Sequence, residues 1–344
     1  MAAIANPALK AESRPREHEL FLAADVGGTH VRVGLVQATA PAGGKPITIL
    51  DYQTYACARF PGLAEVLEDF LGGRPAHPIR CGVIASAGLP LQDGTVISAN
   101  LPWALSPRAI QARLGFADLR LVNDFEAVAH AAPHVEASQV LQITGPAHGA
   151  EGPRLILGPG TGLGAAVWIP AHPRPIVLAT EAGHASLAAG NALELALLGR
   201  MLGERSHVPV EHALSGPGLI NLYAALCALR GAPAKHTAPG DVTAAALAGT
   251  DEHAHDALQA FCGLLGSVVG DMALFYGVQG GIYLAGGILP QLGGFLLESE
   301  FVPRFLNKGP LRQALERIPV KLVEHGQLGV VGAARWYLDQ PDHR

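Results

Sequence analysis

Short apolar runs broken by glycine set the pattern of this chain. Phe21 to Val26 is an apolar run of strand composition; Gly27-Gly28-Thr29 interrupts it and Val31 to Val36 resumes it, which predicts strand, turn, strand. Residues 79–84 predict a buried strand, and Leu119 to Val122 a short one running into Asn123-Asp124. Phe125 to Ala132 has helical spacing, with Asp124 near its N-cap. A second strand–turn–strand follows, from Leu155-Ile156-Leu157 through Gly158 to Gly164 and on to Ala165–Ile169. Helical spacing returns over 192–202, 219–229, 256–276 and 330–338, and a strand over 281–285 ends at Gly286-Gly287. Strands alternating with helices predict an α/β protein. The two glycine-turn hairpins suggest a duplicated lobe, although Asp25-Val26-Gly27-Gly28-Thr29 and Gly158-Pro159-Gly160-Thr161-Gly162 match too loosely to establish a repeat.

Composition narrows the class. A chain of 344 residues that is 49% apolar and 15% charged can bury a sizeable core and suggests two domains. The net charge of −5 and the lack of a basic stripe argue against nucleic acid as a partner. Residues 272–297 carry no formal charge, which is long enough to cross a bilayer, but Gly277, Gly280, Gly281, Gly286, Gly287 and Pro290 break the run; a helix end, a buried strand and a loop account for it without a membrane. Cys57, Cys81, Cys227 and Cys262 form no close pair of zinc-ligand spacing and no disulfide framework, which suits a reducing, cytoplasmic compartment. Residues 1–20, rich in charge around 12–19, read as a loose tail and not as a signal peptide.

Several residues could carry chemistry. Asp25 ends an apolar strand beside Gly27, Gly28 and Thr29; such a turn presents backbone N–H groups to phosphate oxygens, and the carboxylate could hold Mg²⁺ through water. An ordinary hairpin turn explains the same residues. Gly160, Thr161 and Gly162 could cradle phosphate in the same way, without the lysine or spacing of a Walker A loop; a tight β-turn is the plainer alternative. Asn123-Asp124 lies between a strand and a helix, where α/β proteins put polar catalytic groups, and where on the residues alone helix capping is the simpler reading. Glu181-Ala182-Gly183-His184 offers a carboxylate and an imidazole to sugar hydroxyls, with Glu211 and Asn100 as weaker candidates of the same kind. Gly286-Gly287 would let a flat ring lie against the backbone.

The order of these motifs is more specific than any one of them. Asp25-x-Gly-Gly-Thr29, Asn123-Asp124, Gly160-Thr161-Gly162-x-Gly164, Glu181-x-Gly183-His184, Glu211 ahead of Leu214-Ser215-Gly216-Pro217-Gly218, and Ala285-Gly286-Gly287 together resemble the bacterial (proteobacterial-type) glucokinase family of the hexokinase, actin and Hsp70 superfamily, from about Phe21 to Tyr337. The resemblance implies a two-lobed, actin-like (ribonuclease-H-like) α/β fold with a cleft between the lobes. It implies a small lobe over 21–122 rejoined by a C-terminal helix over about 327–344, and a large lobe over 123–326. It further implies ATP and Mg²⁺ at Asp25, Gly27, Gly28 and Thr29, with Gly160, Thr161 and Gly162 cradling phosphate and Gly286 and Gly287 under the adenosine. Glucose would meet Asn100, Asn123, Asp124, Glu181, His184 and Glu211, with Asp124 as catalytic base, in a homodimeric enzyme. His30, where the family commonly has Asn, and Ala182, where it usually has Gly, are departures that bear on rate and specificity. The alternatives are a kinase for another hexose or amino sugar, and a weakly catalytic sugar sensor on the same fold. A DNA-binding regulator would need more than the 24 residues that precede Asp25.

Overall fold

The first apolar run becomes β1 (Leu20–Val26), in which Phe21 to Ala24 and Val26 are buried. The computed structural model describes residues 20–38, 47–72, 79–90, 96–97, 101–172, 174–324 and 326–340. The chain divides into two units, Met1–Ala127 with Gly329–Arg344, and Val128–Leu328.

In the first unit, β2 (His30–Ala38) turns back antiparallel on β1, and β3 (Ile47–Ala56) runs antiparallel on β2. Helix α1 (Leu63–Gly72) buries Leu63, Val66, Leu67 and Phe70, the one-face spacing of an amphipathic helix. The next strand, β4 (Cys81–Ser86), is buried at all six positions, as a strand parallel to its neighbours and covered on both faces should be. It starts two residues later than the apolar run predicts. Its bounds are set by pairing, with Gly82 opposite Leu22 and Cys81 opposite Asp118, and the Arg80 carbonyl accepts instead from Ala117 and Asp118 N–H. A two-stranded ribbon of β5 (Leu89–Pro90) and β6 (Val96–Ile97) follows. Helix α2 (Pro107–Leu114) is capped by Ser106 and ended by Gly115 at φ +72°. Then β7 (Asp118–Val122) pairs parallel to β4 and leads into α3 (Asp124–Ala131). The sheet order is β3-β2-β1-β4-β7.

The second unit is built on β8 (Val140–Thr144), β9 (Arg154–Pro159), β10 (Leu163–Ile169) and β11 (Ile176–Thr180), then α4 (Ala192–Leu202), α5 (Gly216–Leu229), α6 (Pro239–Leu247) and α7 (Glu252–Phe275). After these come β12 (Gly281–Leu284), α8 (Gly293–Glu298), α9 (Phe301–Phe305), α10 (Arg312–Leu315) and β13 (Val320–Val323). Its sheet runs β11-β10-β9-β12-β13-β8. In both sheets three antiparallel strands in the order third-second-first are followed by two strands parallel to the first, so the two units repeat one topology, with β8 added at one edge. Helix α7 is long and apolar enough to cross a membrane, but 67% of its most apolar window is buried within the protein. The charge-free run over 272–297 resolves into the end of α7, β12, a loop and α8.

The chain returns to the first unit in α11 (Leu328–Asp339), whose Val330, Ala333, Ala334 and Tyr337 are buried with Phe21, Val36 and Val83. The Tyr337 ring stacks on Phe21 at 5.4 Å, and its hydroxyl donates to Asp118 at 2.7 Å. All four cysteines are buried, and none of the four is in a disulfide.

Candidate functional site

The β1–β2 turn follows directly from strand register. Asp25 sits opposite Arg32, and Val26 opposite Val31, leaving Gly27, Gly28, Thr29 and His30 to make the reversal, closed by Gly27 N–H donating to the His30 carbonyl at 3.0 Å. Arg32 Nη1 lies 3.3 Å from Asp25 Oδ2. The hairpin spacing alone could have found this pair, since residues 25 and 32 are equidistant from the turn. On the other side of Asp25, a Cβ at residue 329 would stand 2.5 Å from its Cγ, so Gly329 is the residue that admits the carboxylate at the start of α11. Burial between these neighbours pushes the Asp25 carboxyl up from its ordinary value, against the opposing pull of Arg32. His30 is exposed, and its Nδ1 lies 3.1 Å from Thr29 Oγ1.

At the end of β7 the structure assigns the cap within the Asn123-Asp124 pair. Asn123, not Asp124, caps α3: its carbonyl accepts from Ala127 N–H at 2.9 Å, and its Oδ1 accepts from Phe125 and Glu126 N–H at 3.0 and 3.1 Å. Asp124 is the first residue of the helix, with Oδ1 2.9 Å from Phe125 N–H.

The second unit gathers its candidates around the β9–β10 turn. Gly160 N–H donates to the Gly162 carbonyl at 2.7 Å, and the Gly160 carbonyl accepts from Gly216 N–H at 2.8 Å, which brings the N-terminus of α5 beside the turn. That helix is capped by Ser215, whose Oγ accepts from Gly218 N–H at 2.9 Å and donates to the Glu211 carbonyl at 2.7 Å. The Gly216 and Gly218 N–H groups are thus both taken and residue 217 is proline, so what this terminus offers an anion is the positive end of the helix dipole. Gly216 thus brings the Leu214-Ser215-Gly216-Pro217-Gly218 motif beside the β9–β10 turn. Gly286, at φ +92°, packs on the same turn; a Cβ there would come within 2.6 Å of the Pro159 carbonyl oxygen.

Glu211 stands one step further along. Its Oε2 accepts from Leu163 N–H, next to Gly162, at 3.3 Å, and its Oε1 is 3.8 Å from His184 Nδ1. Gly183 is buried between these groups, where a Cβ would meet the Leu163 carbonyl oxygen at 2.5 Å and Glu211 Oε2 at 3.1 Å. Glu181 precedes the short 3₁₀ turn Ala182–His184, and its carbonyl accepts from His184 N–H at 3.0 Å. Glu181 and His184 are exposed, and Ala182 packs its methyl partly against the core. Within this unit Gly160, Thr161, Gly162, Glu181, His184, Glu211 and Gly286 therefore form one neighbourhood, with Gly287 adjoining. Asn100 lies outside the described residues. Among the described residues no group of three or more His, Cys, Asp or Glu side chains is arranged to hold a metal ion. A single half-buried carboxylate such as Asp25 fits a magnesium ion that keeps waters and phosphate oxygens as its other ligands.

Two units with the same mixed sheet, with glycine turns after the equivalent strands β1 and β9, define an α/β sugar kinase of the two-domain, actin-like ATPase fold. A profile of the Glucokinase family matches residues 22–340, and the chain belongs to that family. It is 57% identical over 337 residues to a glucokinase-like protein of Xylella fastidiosa, covering 98% of this chain and 99% of the relative. It is 36% identical over 320 residues to the glucokinase of Saccharophagus degradans, covering 93% and 98%. The crystal structure of a glucokinase from an Antarctic psychrotroph superposes with a TM-score of 0.80 at 36% identity, over 93% of this chain and 99% of that one.

Proposed function

We propose that this protein transfers the γ-phosphoryl group of ATP to the C6 hydroxyl of D-glucose, giving glucose 6-phosphate and ADP. The observation that most supports this reading is the grouping of Glu181, His184 and Glu211 around Gly183, next to the Gly160–Gly162 turn and the N-terminus of α5. Carboxylates and an imidazole suit paired sugar hydroxyls, and a glycine turn beside the positive end of a helix dipole suits phosphate.

Phosphoryl transfer asks mainly for positioning and charge stabilisation. In this reading Glu181, His184 and Glu211 hold the ring, with Asn100 and Asn123 at its other hydroxyls. Asp124 accepts the C6 hydroxyl proton as the new O–P bond forms and the bond to the ADP oxygen breaks. Gly27, Gly28 and Thr29 meet the phosphates, as do Gly160, Thr161 and Gly162, and Gly286 and Gly287 lie under the adenosine. Asp25 would hold magnesium through water, and the ion when bound would offset the charge on the transferring phosphoryl group. The methyl of Ala182 and the imidazole of His30 bear on sugar choice and turnover.

A coupled assay with ATP and Mg²⁺ against glucose, mannose, fructose and N-acetylglucosamine tests the reading. Turnover with glucose well above the other three is expected. Turnover confined to another sugar would move the specificity and keep the chemistry. Folded protein that binds glucose but turns over none of the four would overturn the assignment as a kinase.

A further inference from the structure

Behind the β1–β2 turn, one residue grips both of its ends. Cys57, just past β3, donates its backbone N–H to the Thr29 carbonyl at 2.9 Å and its thiol to the Gly27 carbonyl at 3.4 Å. It is 2% exposed, and burial pushes its thiol up from the ordinary value, so the sulfur keeps its proton and remains a donor. The placement is built into the sheet, because β3 ends with Ala56 opposite His30, which brings residue 57 level with the turn.

The consequence comes from peptide geometry. In a planar trans peptide the carbonyl of one residue and the N–H of the next point in opposite directions. Drawing the Gly27 carbonyl toward Cys57 turns the Gly28 N–H away from it; drawing the Thr29 carbonyl does the same for the His30 N–H. Two amide donors on the turn are thereby aimed together, on the side facing away from β3, and successive N–H groups so aimed form an anion-binding concavity. Hydrogen-bond donors fixed before the ligand arrives bind it without a reorganisation cost.

We infer that Cys57 is a positioning residue for the nucleotide phosphates, acting through the Gly27 and Thr29 carbonyls and touching neither substrate. The inference rests on the kinase reading above, and concerns a residue that neither the motifs nor their spacing singled out. The thiol is the part that mutation can remove, since the backbone bond survives any substitution. Cys57→Ala deletes the donor, Cys57→Val deletes it while filling the volume, and Cys57→Ser retains a donor.

The test measures Mg·ATP and glucose affinity by calorimetry, KM and kcat for ATP, and Tm, for the wild type and all three variants. The expected result is a rise in the Kd and KM for Mg·ATP of about three- to tenfold in Cys57→Ala and Cys57→Val, the scale of one lost neutral hydrogen bond. Glucose affinity should not change, and Cys57→Ser should return most of the loss. A structural role alone would lower Tm and weaken both ligands together, with no rescue by serine, and would overturn the inference. So would unchanged Mg·ATP affinity in both donorless variants, and if alanine leaves too large a void for folding, Cys57→Val decides. Wild-type protein that fails to bind Mg·ATP would sink the kinase reading itself, a result distinct from a failure of Cys57 alone.

Discussion

Asn123 and Asp124 are adjacent and both polar, yet the fold gives them different work. Asn123 carries the capping bonds of α3, so the carboxylate of Asp124 is not needed as the cap. Asp124→Ala should therefore leave folding nearly intact and cut kcat by about 10²–10⁴, the usual worth of a general base, with glucose binding still measurable; turnover within a few-fold of wild type would remove the role. Asp25 shows the reverse economy. Burial raises its carboxyl above the ordinary value, so the folded chain takes up a proton more readily than the unfolded one. The sign follows: its contribution to stability declines as pH rises from the ordinary carboxylate range through the raised value, and is least favourable at neutral pH. Asp25→Asn should raise Tm at pH 7, lose that advantage in melts near pH 4, and abolish Mg-dependent turnover. A Tm penalty at pH 7 would show that the Arg32 pair outweighs the cost of burial.

Among the elements, α5 links stability to the site most directly. Ser215 caps it and also holds the Glu211 carbonyl, while the neighbouring Gly216 N–H ties it to the β9–β10 turn. Ser215→Ala should cost about 0.5–2 kcal/mol in denaturant unfolding, the usual worth of an N-cap, and should weaken glucose binding as well, because Glu211 loses a support. Thermal loss with unchanged glucose affinity would separate the cap from the site. The elements were unequally legible in the sequence. The buried strands β1, β9 and β12, and the helices α4 and α7, announced themselves by apolar runs and helical spacing. By contrast, β3 and β11 are mostly exposed along their length and carry no period to read. They are strands because β2 and β10 offer them hydrogen bonds, a partner that only the folded sheet supplies.

At the scale of the whole molecule, the second unit is locked by long-range polar contacts inside its core. Arg304 of α9 makes a two-pronged pair with Glu194 of α4, at 2.6 and 2.9 Å, and also donates to Ser267 of α7. Both partners are nearly or fully buried, so removing one strands the other's charge. Arg304→Met should cost about 3–5 kcal/mol in denaturant unfolding, and the double change Glu194→Leu with Arg304→Met should recover much of it; a double variant no better than the single would mean that the loss comes from packing. Residues 194 and 304 are far apart in the chain and nothing in either neighbourhood marks them as partners. The repeated sheet topology belongs to this scale as well: two glycine turns of loosely similar sequence occupy equivalent places, after β1 and after β9, and that equivalence lies in strand pairing.

Local chemistry was enough for the α/β class, for most of the buried strands and helices, and for the order of motifs that marks the glucokinase family, because apolar periodicity and glycine turns act over a few residues. Tertiary structure decided what depends on neighbours distant in sequence. It made Asn123 the cap, set the bounds of β4, enclosed Asp25 between Arg32 and Gly329, and brought Glu211 to Leu163 and Gly183. It also stationed Cys57 behind the β1–β2 turn. A side chain's partners are set by which strands and helices pack together, and that choice is made by the core as a whole.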